Sequence, residues 1–349
     1  MDSSTKLKAL LQQAFPILAL APMQDVTDLA FWRLMTPYGG ADVYWTEYFR
    51  VHGDSRLDKH ILRSITQNPT GRPVIAQMIG NEIPSLVRSA RELEQHDVAA
   101  VDLNLGCPAP VVYRKCAGGG LLRDLNRVDA ILGALRDSVK GAFTVKTRIG
   151  FDDPGIFENL LGLFEKHSVD LVSVHGRTVT EGYRSAVHYD YIAHAVERLQ
   201  CPVLANGNVY SVKKGEDVLR ATQAHGLMIG RGVIRNPWMF EQFRQFWRGQ
   251  TVFCPIGRDV LSYVDALYSA VSPDGVPEGM QVQKMKKYIN FLGLGVEPTG
   301  RFLHEIRRVT TRADFFGICR EFLDHDELMP LEPLAISFKE SDVLQGEHL

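Results

Sequence analysis

The sequence predicts a (β/α)8 barrel of the TIM type with a smaller, all-helical C-terminal domain. Eight short apolar runs recur before Gly249, and a segment able to form a helix follows each of them. Most of these runs are continuously apolar rather than alternating, which is typical of parallel strands covered on the outside by helices. The regular repetition favours a closed barrel, and an open doubly wound sheet is the alternative.

The predicted strands are short, and the segments between them are long enough for helices. Two of these segments, Pro84–Gln95 and Arg127–Val139, are amphipathic at helical spacing. In chain order, the predicted strands are Ile17–Ala21, Asp42–Glu47, Pro73–Met78, Ala100–Leu105, Phe143–Ile149, Leu171–His175, Pro202–Asn206 and Gly226–Gly230.

After Gly249 the alternation ends, and helical segments follow without strands between them. The expected helices are Asp259–Ala270, Gln281–Leu292, Gly300–Val309 and Arg312–Leu323. The sequence thus predicts a catalytic barrel over residues 1–249, a helical domain over 259–325 and an acidic, poorly ordered tail over 326–349.

The cysteines indicate a protein of a reducing compartment. All five are scattered without CxxC spacing, which argues against a disulfide framework, a zinc site and an iron–sulfur cluster. No secretion signal and no run approaching ~20 apolar residues is recognisable, so we expect a cytoplasmic protein outside the membrane. We also expect a monomer with no metal and no protein partner. The net charge of −2 gives no global sign of nucleic-acid binding, so any RNA contact must be local.

Polar residues follow nearly every predicted strand at its C-terminal end, where barrels of this type gather their chemistry. A purely structural barrel would not need such residues on one rim. The set comprises Ala21-Pro22-Met23, Glu47, Gln77, Asn104 with Cys107, Lys146 with Arg148, His175 with Arg177, Asn206-Gly207-Asn208, and Gly230-Arg231-Gly232.

The last two strands end in glycines that suit an anion site. Gly207 and Gly230 allow backbone N–H groups to approach a phosphate closely, and Arg231 adds a positive charge. A tight turn explains either motif equally well by itself. Together, the two motifs favour a phosphate, which barrels commonly bind at this position.

Three polar residues within strands suit a flavin. Lys146 lies in an apolar strand, where a buried ammonium is costly unless it faces an anion such as the reduced flavin ring. Gln77 offers an amide that both donates and accepts, and His175 can donate to a phosphate or a carbonyl. The alternatives are a lysine that reaches the rim, a glutamine that bonds a loop and an ordinary core histidine.

Cys107 lies just past the fourth predicted strand, in a loop at the barrel mouth. A thiol there can act as a proton donor or as a nucleophile, whereas the other four cysteines are interpreted as small hydrophobic residues. Pro108 and the glycines at 118–120 predict a loop that is stiff at its start and mobile at its end. Such a loop either closes over a substrate or is an irregular connection.

In these motifs the sequence resembles the tRNA-dihydrouridine synthase family. Each motif is weak alone, but all six in this order are highly specific, and they span the whole predicted barrel. One departure is Asn208, where family members usually have an acidic residue. The motifs are Leu20-Ala-Pro-Met23, Asp102-Leu-Asn-Leu-Gly-Cys-Pro108 followed by Gly118-Gly-Gly-Leu-Leu122, Val145-Lys-Thr-Arg148, Val174-His-Gly-Arg-Thr178, Ala205-Asn-Gly207 and Met228-Ile-Gly-Arg231.

The resemblance implies FMN as the cofactor, NADPH as the reductant and a D-loop uridine of tRNA as the substrate. It assigns hydride transfer to C6 of the uracil and protonation of C5 by Cys107. A thiol with a pKa near 8.5 keeps its proton at neutral pH, and a stacked base must be flipped out to reach it. The implied cofactor ligands are Ala21, Pro22, Met23, Gln77, Lys146, His175, Asn206, Gly207, Asn208, Gly230 and Arg231, and the implied substrate ligands are Asn104, Arg148, Arg177 and Arg184.

A local basic segment is the candidate RNA surface. Between Lys284 and Arg320, eight Lys and Arg residues face three acids, and the 29 residues that follow carry eight acids and one lysine. Such a basic segment suits phosphate contacts, and an ordinary solvated helix face is the alternative. The candidate contacts are Lys284, Lys286, Lys287, Arg307 and Arg308, with Arg114 and Lys115 in the cysteine loop.

Three other functions are compatible with parts of this pattern. An FMN barrel acting on a free pyrimidine, similar to dihydroorotate dehydrogenase, would use the same chemistry but gives the basic helical domain no task. A non-catalytic RNA-binding barrel would not need Cys107 and a phosphate site. A Schiff-base aldolase built on Lys146 gives Cys107 no function.

Overall fold

The computed structural model describes residues 3–183, 185–272 and 275–334. Contacts between residues divide it into two compact units. The barrel unit comprises Met1–Leu29, Ala41–Val209 and Lys213–Ile229, and the helical unit comprises Ala30–Gly40, Tyr210–Val212 and Gly230–Leu349. This division falls after Ile229, whereas the predicted functional division falls after Gly249, and the functional boundary stays a prediction.

Nine parallel strands form the sheet of the barrel unit. They are β1 Ile17–Leu20, β2 Val43–Trp45, β3 Phe49–Arg50, β4 Val74–Ile79, β5 Ala100–Leu105, β6 Phe143–Arg148, β7 Leu171–His175, β8 Val203–Asn206 and β9 Gly226–Ile229. Eight of them close a barrel, because β1 pairs with β9 and with β2, and β2 pairs with β4. The predicted (β/α)8 fold is therefore confirmed, and the short β3 is an addition that extends the pairing of β4 at its C-terminal end.

The helices of both units are α1 Ser3–Leu11, α2 Leu29–Met35, α3 Lys59–Thr66, α4 Ile83–Leu93, α5 Pro110–Tyr113, α6 Leu125–Ser138, α7 Phe157–Lys166, α8 Tyr189–Arg198, α9 Val212–Thr222, α10 Arg231–Arg235, α11 Met239–Trp247, α12 Gly257–Val271, α13 Glu278–Leu292, α14 Arg301–Ile306 and α15 Arg312–Leu323. Side-chain caps mark the starts of several helices. The Asp124 carboxylate accepts from Arg127 N at 3.0 Å, so α6 begins before the residue that the sequence predicted.

Among the described residues, we find no helix with the length and apolar character needed to cross a membrane.

The register of the strands sorts the barrel interior into an apolar and a polar end. Side chains alternate along each strand, so every second residue points inward. The N-terminal positions are apolar, and Leu7 and Leu10 of α1 pack into the same buried cluster. Towards the C-terminal ends, Asn104 is in register with Lys146, and His175 is in register with both Arg148 and Asn206. The polar interior residues thus lie at the end where barrel enzymes place their chemistry.

The helical unit has its own core of aromatic and aliphatic side chains. Tyr263, Leu267, Met285, Tyr288 and Phe315 are almost fully buried. The Tyr263 hydroxyl, on α12, donates to the carbonyl of Ile234 on α10 at 2.9 Å. The four helices predicted after Gly249 are confirmed as α12 to α15, with bounds shifted by a few residues.

The start of the predicted tail is ordered. Leu328 forms an antiparallel bridge with Ile256, and the Arg235 guanidinium donates to the carbonyls of Pro330 and Leu331. The Ser211 hydroxyl donates to the Glu332 carboxylate at 2.9 Å. The prediction of poor order is therefore wrong for residues 326–334, while the part of it that concerns residues 335–349 lies outside the described residues.

Candidate active site

Asn104 holds the loop that carries Cys107. This residue ends the interior face of β5, and its Oδ1 accepts hydrogen bonds from the backbone N–H groups of Gly106 at 3.0 Å and Cys107 at 2.9 Å. The amide is almost fully buried. Asn104 was predicted to contact the substrate, and the structure gives it a position in which it fixes the backbone of the cysteine loop.

Tyr48 lies beside the Cys107 sulfur. The tyrosine follows β2, is 8% exposed and packs in a small cluster with Ile79 and Val112, against which Cys107 also packs. Its hydroxyl and the sulfur are close enough for each to shift the pKa of the other. Burial, and then the neighbouring sulfur, raise the pKa of Tyr48 to about 12. Sequence reasoning missed this residue, because nothing in the β2 segment shows which loop it contacts.

Cys107 is set up to hold its proton at neutral pH. Burial raises the pKa of the thiol above its usual value. The N–H of Ala109, the Lys146 ammonium and the Tyr48 hydroxyl oppose this shift, because each stabilises a thiolate. The thiol is partly exposed, so it is accessible while remaining protonated. This combination suits a proton donor better than a nucleophile.

Lys146 is a partly buried ammonium with few partners in the protein. Its Nζ donates to the Asn206 Oδ1 at 3.2 Å, whereas an ammonium has three N–H donors. Burial, and then the nearby Arg148, lower its pKa to about 8, so it is mostly charged at neutral pH. A buried cation with further N–H groups to donate fits an electron-rich cofactor edge, such as the N1 and C2 carbonyl region of a flavin.

Gln77 already uses half of its hydrogen-bonding capacity inside the barrel. Its Nε2 donates to the Asp102 carboxylate at 2.8 Å, and its Oε1 accepts from Asn104 Nδ2 at 2.8 Å. An amide of this kind keeps one further N–H and one further lone pair for a bound group. Gln77 is fully buried and therefore has a structural role, and its predicted contact with a cofactor stays a prediction.

Arg148 ties two loops to the barrel. Its guanidinium is 2% exposed and donates to the carbonyls of Gly106 at 3.0 Å, Thr178 at 2.7 Å and Gly182 at 2.9 Å. It also lies over the Tyr183 ring, 5.4 Å from its centroid. Arg148 was predicted to bind the substrate, and its observed contacts position the cysteine loop and the loop after β7.

The Arg177 side chain is also hydrogen-bonded to other residues of the protein. It is 1% exposed, its Nε donates to the Ser185 carbonyl at 2.8 Å, and its Nη1 donates to Asn208 Oδ1 at 3.4 Å. A guanidinium buried in this way does not support the predicted direct contact with the substrate. Arg184, the other residue predicted for that role in this loop, lies outside the described residues.

The backbone conformation at the end of β8 explains the types of the residues that were predicted to bind a phosphate there. Gly207 has φ of +132° and a side chain there would meet Val187 at 3.0 Å, while Asn208 has φ of 49°. The glycine is therefore required by the backbone whether or not a phosphate binds. Gly230 and Arg231 begin the helical unit, where Gly230 precedes the short helix α10. Their predicted contact with a phosphate stays a prediction.

The remaining predicted cofactor residues lie around the end of β1 and β7. Ala21 N donates to the Ile229 carbonyl at 2.9 Å, and Thr27 Oγ1 accepts from Met23 N at 2.8 Å, which shapes the turn that contains Pro22. His175 is 5% exposed, and its ring meets the Tyr183 ring edge-on with centroids 6.2 Å apart.

The predicted RNA contacts are at the surface of their respective units. In the barrel unit, Arg114 and Lys115 are exposed in the cysteine loop. In the helical unit, Arg308 is exposed, while the Arg307 Nε donates to Asn290 Oδ1 at 2.9 Å. The remaining three, Lys284, Lys286 and Lys287, are partly exposed on α13.

Fold and site together define a (β/α)8-barrel enzyme with a protonated thiol and a buried ammonium at the C-terminal ends of its strands. The family model described as dihydrouridine synthase matches residues 19–319, which is most of the sequence. The chain belongs to the dihydrouridine synthase family. The recognition made from the six motifs is thereby confirmed.

Curated relatives agree with this assignment over nearly their full length. A probable tRNA-dihydrouridine synthase of Helicobacter pylori is 37% identical over 337 residues, covering 95% of this chain and 94% of that protein. The tRNA-dihydrouridine synthase B of Xanthomonas axonopodis pv. citri is 29% identical, covering 88% of this chain and 93% of that protein. The tRNA-dihydrouridine(16) synthase of Shewanella oneidensis is 27% identical, covering 88% of this chain and 98% of that protein.

Proposed function

We propose that this protein is a cytoplasmic, FMN-dependent and NADPH-dependent tRNA-dihydrouridine synthase. It saturates the C5–C6 bond of a D-loop uridine. The observation that carries the proposal is the loop that Asn104 holds with Cys107 at the C-terminal ends of the strands, where the Lys146 ammonium also lies, in a chain of this family. The relatives named above support tRNA as the substrate class.

The donors at the C-terminal ends of the strands fit a flavin. Lys146 would hold the electron-rich edge of the ring, and Gln77 would use its remaining N–H and lone pair on the ring amide. Asn206, Gly207, Asn208, Gly230 and Arg231 are the proposed phosphate ligands. When bound and reduced, FMN supplies the hydride that C6 of the uracil receives.

The protein itself supplies the proton. Addition at C6 builds negative charge on C5 and the C4 carbonyl, so an acid is needed close to C5. Cys107 donates its thiol proton to C5, because burial keeps that proton on the sulfur at neutral pH. The Tyr48 hydroxyl, which favours the ionised form of this sulfur, would then donate to the thiolate left behind.

The loops fix where this proton is delivered. Asn104 and Arg148 both hold the backbone at 106–107, from the barrel interior and from β6. A base stacked in folded RNA cannot reach this position, so the uridine enters as a flipped-out nucleotide. The proposed RNA backbone contacts are Arg114, Lys115, Lys284, Lys286, Lys287, Arg307 and Arg308.

The proposal is tested with purified protein, FMN, NADPH and either an unmodified tRNA transcript or free uridine. Nucleoside mass spectrometry should find dihydrouridine in the tRNA and essentially none from free uridine. Sequencing of the treated tRNA would show which uridine is reduced. Equal product from free uridine would instead indicate a free-pyrimidine oxidoreductase, and no product from either substrate would refute the proposal.

A further inference from the structure

A continuous chain of side-chain hydrogen bonds runs from the barrel interior to the cysteine loop. It begins at Thr144, whose hydroxyl donates to Asp102 Oδ1 at 2.6 Å. Gln77 Nε2 donates to Asp102 Oδ2 at 2.8 Å, and Asn104 Nδ2 donates to Gln77 Oε1 at 2.8 Å. The chain ends where Asn104 Oδ1 accepts from the backbone N–H of Cys107 at 2.9 Å.

The two ends of this chain dictate the direction of every bond between them. The backbone N–H groups of Gly106 and Cys107 can only donate, so Asn104 must present its oxygen to them and its NH2 to Gln77. Gln77 must therefore present its oxygen to Asn104 and its NH2 to residue 102. An ionised aspartate at 102 can only accept, so it matches the one orientation that holds the loop.

The direction of these hydrogen bonds matters because the side chains that form them are buried. Asp102 and Gln77 are fully buried and Asn104 is 6% exposed, so water cannot replace a mismatched partner. If the Gln77 amide turned over, its NH2 would face the NH2 of Asn104 and its oxygen would face a carboxylate. Both amides would then lose their partners, and Asn104 would no longer be held towards the loop.

We propose that Asp102 is a positioning residue that orients Cys107 through the side chains of Gln77 and Asn104. Asp102 does not touch the substrate, and its carboxylate acts by fixing which way two buried amides point. The consequence for uridine reduction rests on the proposed function, whereas the effect on the loop does not. These hydrogen bonds also explain why the motif at 102–108 begins with an aspartate. The proposed reaction gives Asp102 no other role.

Removal of the acceptor at 102 tests this proposal. Asp102→Leu leaves the Gln77 NH2 without its partner, so nothing at that end of the chain favours the native orientation of the amide. Asp102→Asn is the conservative variant, because its side-chain oxygen can accept from Gln77 at the same place. Gln77→Met removes the hydrogen bonds on both sides of residue 77 and so disconnects residue 102 from Asn104.

The first measurement is the alkylation rate of Cys107 by iodoacetamide at pH 8, followed by peptide mass spectrometry without flavin or tRNA. Asp102→Leu should raise this rate about tenfold, the size expected when one buried hydrogen bond is lost and the loop is released. Asp102→Asn should stay close to the native rate, because it still accepts from Gln77. A native rate in Asp102→Leu, or the same rise in Asp102→Asn, overturns the proposal.

A second pair guards against a variant that fails to fold. Gln77→Met should also raise the alkylation rate, and the addition of Asp102→Leu to it should raise the rate no further, because residue 102 acts on the loop only through residue 77. Independent effects that multiply in the double variant would mean that Asp102 does not act through Gln77, and they overturn the proposal.

Flavin content and dihydrouridine formation are measured on the same proteins. Alkylation rates that follow the expected pattern, together with dihydrouridine formed by the native protein, support both proposals. If alkylation follows the expected pattern but the native protein forms no dihydrouridine, the proposed function fails and the positioning role stands. If the native protein forms dihydrouridine but alkylation does not respond to Asp102→Leu, the positioning role fails alone.

Discussion

The proton on Cys107 is the central feature at the scale of single residues. A thiol held above its usual pKa is a weak acid in the free enzyme, and it gives up its proton only when a developing carbanion accepts it. The N–H of Ala109, the Lys146 ammonium and the Tyr48 hydroxyl each stabilise the thiolate afterwards, and the Tyr48 side chain is 8% exposed.

Tyr48→Phe should separate this role from simple packing. The phenyl ring keeps the contacts with Ile79 and Val112, but the thiolate loses a neighbouring hydroxyl that favours it, so the pKa of Cys107 should rise further. The pH dependence of Cys107 alkylation measures this directly, and its midpoint should move upwards while the melting temperature changes little. A midpoint that stays in place, or moves down, would show that the hydroxyl does not stabilise the sulfur.

Residue types at the ends of strands were predictable, but their partners were not. Cys107 and Lys146 could be singled out because a thiol in a mouth loop and a lysine in an apolar strand are chemically unusual. Arg148 and Arg177 carry the same sequence signal, yet their guanidinium groups are bound to backbone carbonyls, those of Thr178 after the neighbouring strand and of Ser185 in the same loop. Such carbonyls are present at every residue, so no sequence pattern shows which ones a buried arginine will find.

Among the elements, the cysteine loop between β5 and α6 is the most tightly constrained. Gly119 N donates to the Cys107 carbonyl at 3.2 Å, and the loop packs closely enough that a Cβ on Gly119 would lie 2.9 Å from that carbonyl and 2.5 Å from Val179. The glycines that suggested a mobile end to this loop are buried in the structure. Their role is to let the loop fold back on Cys107.

Gly119→Ala should therefore damage the site without unfolding the barrel. The methyl group pushes on backbone at Cys107, and overpacking of this kind typically costs about 1–3 kcal/mol. We expect a large loss of dihydrouridine formation with a modest fall in melting temperature. Gly162→Ala is the control, because nothing lies within 4 Å of a Cβ there and the helix α7 should gain slightly in stability. Native activity in Gly119→Ala would show that the loop is not constrained in this way.

The strands could be predicted because parallel barrel strands are buried on both faces and so appear as continuous apolar runs. The two-residue β3 could not, because Phe49–Arg50 is too short to form a pattern and depends on pairing with Met78 and Ile79. Helix ends were less exact for a similar reason: the Asp124 cap of α6 and the Thr311 cap of α15 are single residues that also occur in loops.

At the scale of the whole molecule, near-neutral charge conceals a division between a basic segment and an acidic one. Part of the basic charge is neutralised locally, since Arg301 pairs with Glu305 at 2.7 Å and also with Glu321. Arg308 is exposed, and its Nη1 donates to the His304 carbonyl of its own helix at 2.6 Å. The more exposed cations are those expected to contribute to RNA binding.

Replacing Arg307 and Arg308 by Glu should weaken tRNA binding and make it less dependent on salt. For each phosphate that the protein no longer binds, the slope of log affinity against log salt should fall by roughly one. The reduction of bound flavin by NADPH should be unaffected. Arg63→Glu, a charge reversal on the exposed face of α3, serves as the control. Unchanged tRNA affinity in the Arg307 and Arg308 variant would place the RNA surface elsewhere.

The most direct test of the account is a single-turnover reaction of Cys107→Ala, which removes only the thiol. Protein containing FMN is reduced with NADPH in the absence of oxygen and then mixed with unmodified tRNA, and both flavin absorbance and dihydrouridine are followed. We expect native protein to oxidise its flavin as dihydrouridine forms, and Cys107→Ala to bind and reduce flavin normally but to form product at least about 100-fold more slowly. Product formation by Cys107→Ala at the native rate would contradict the assignment of Cys107 as the proton donor.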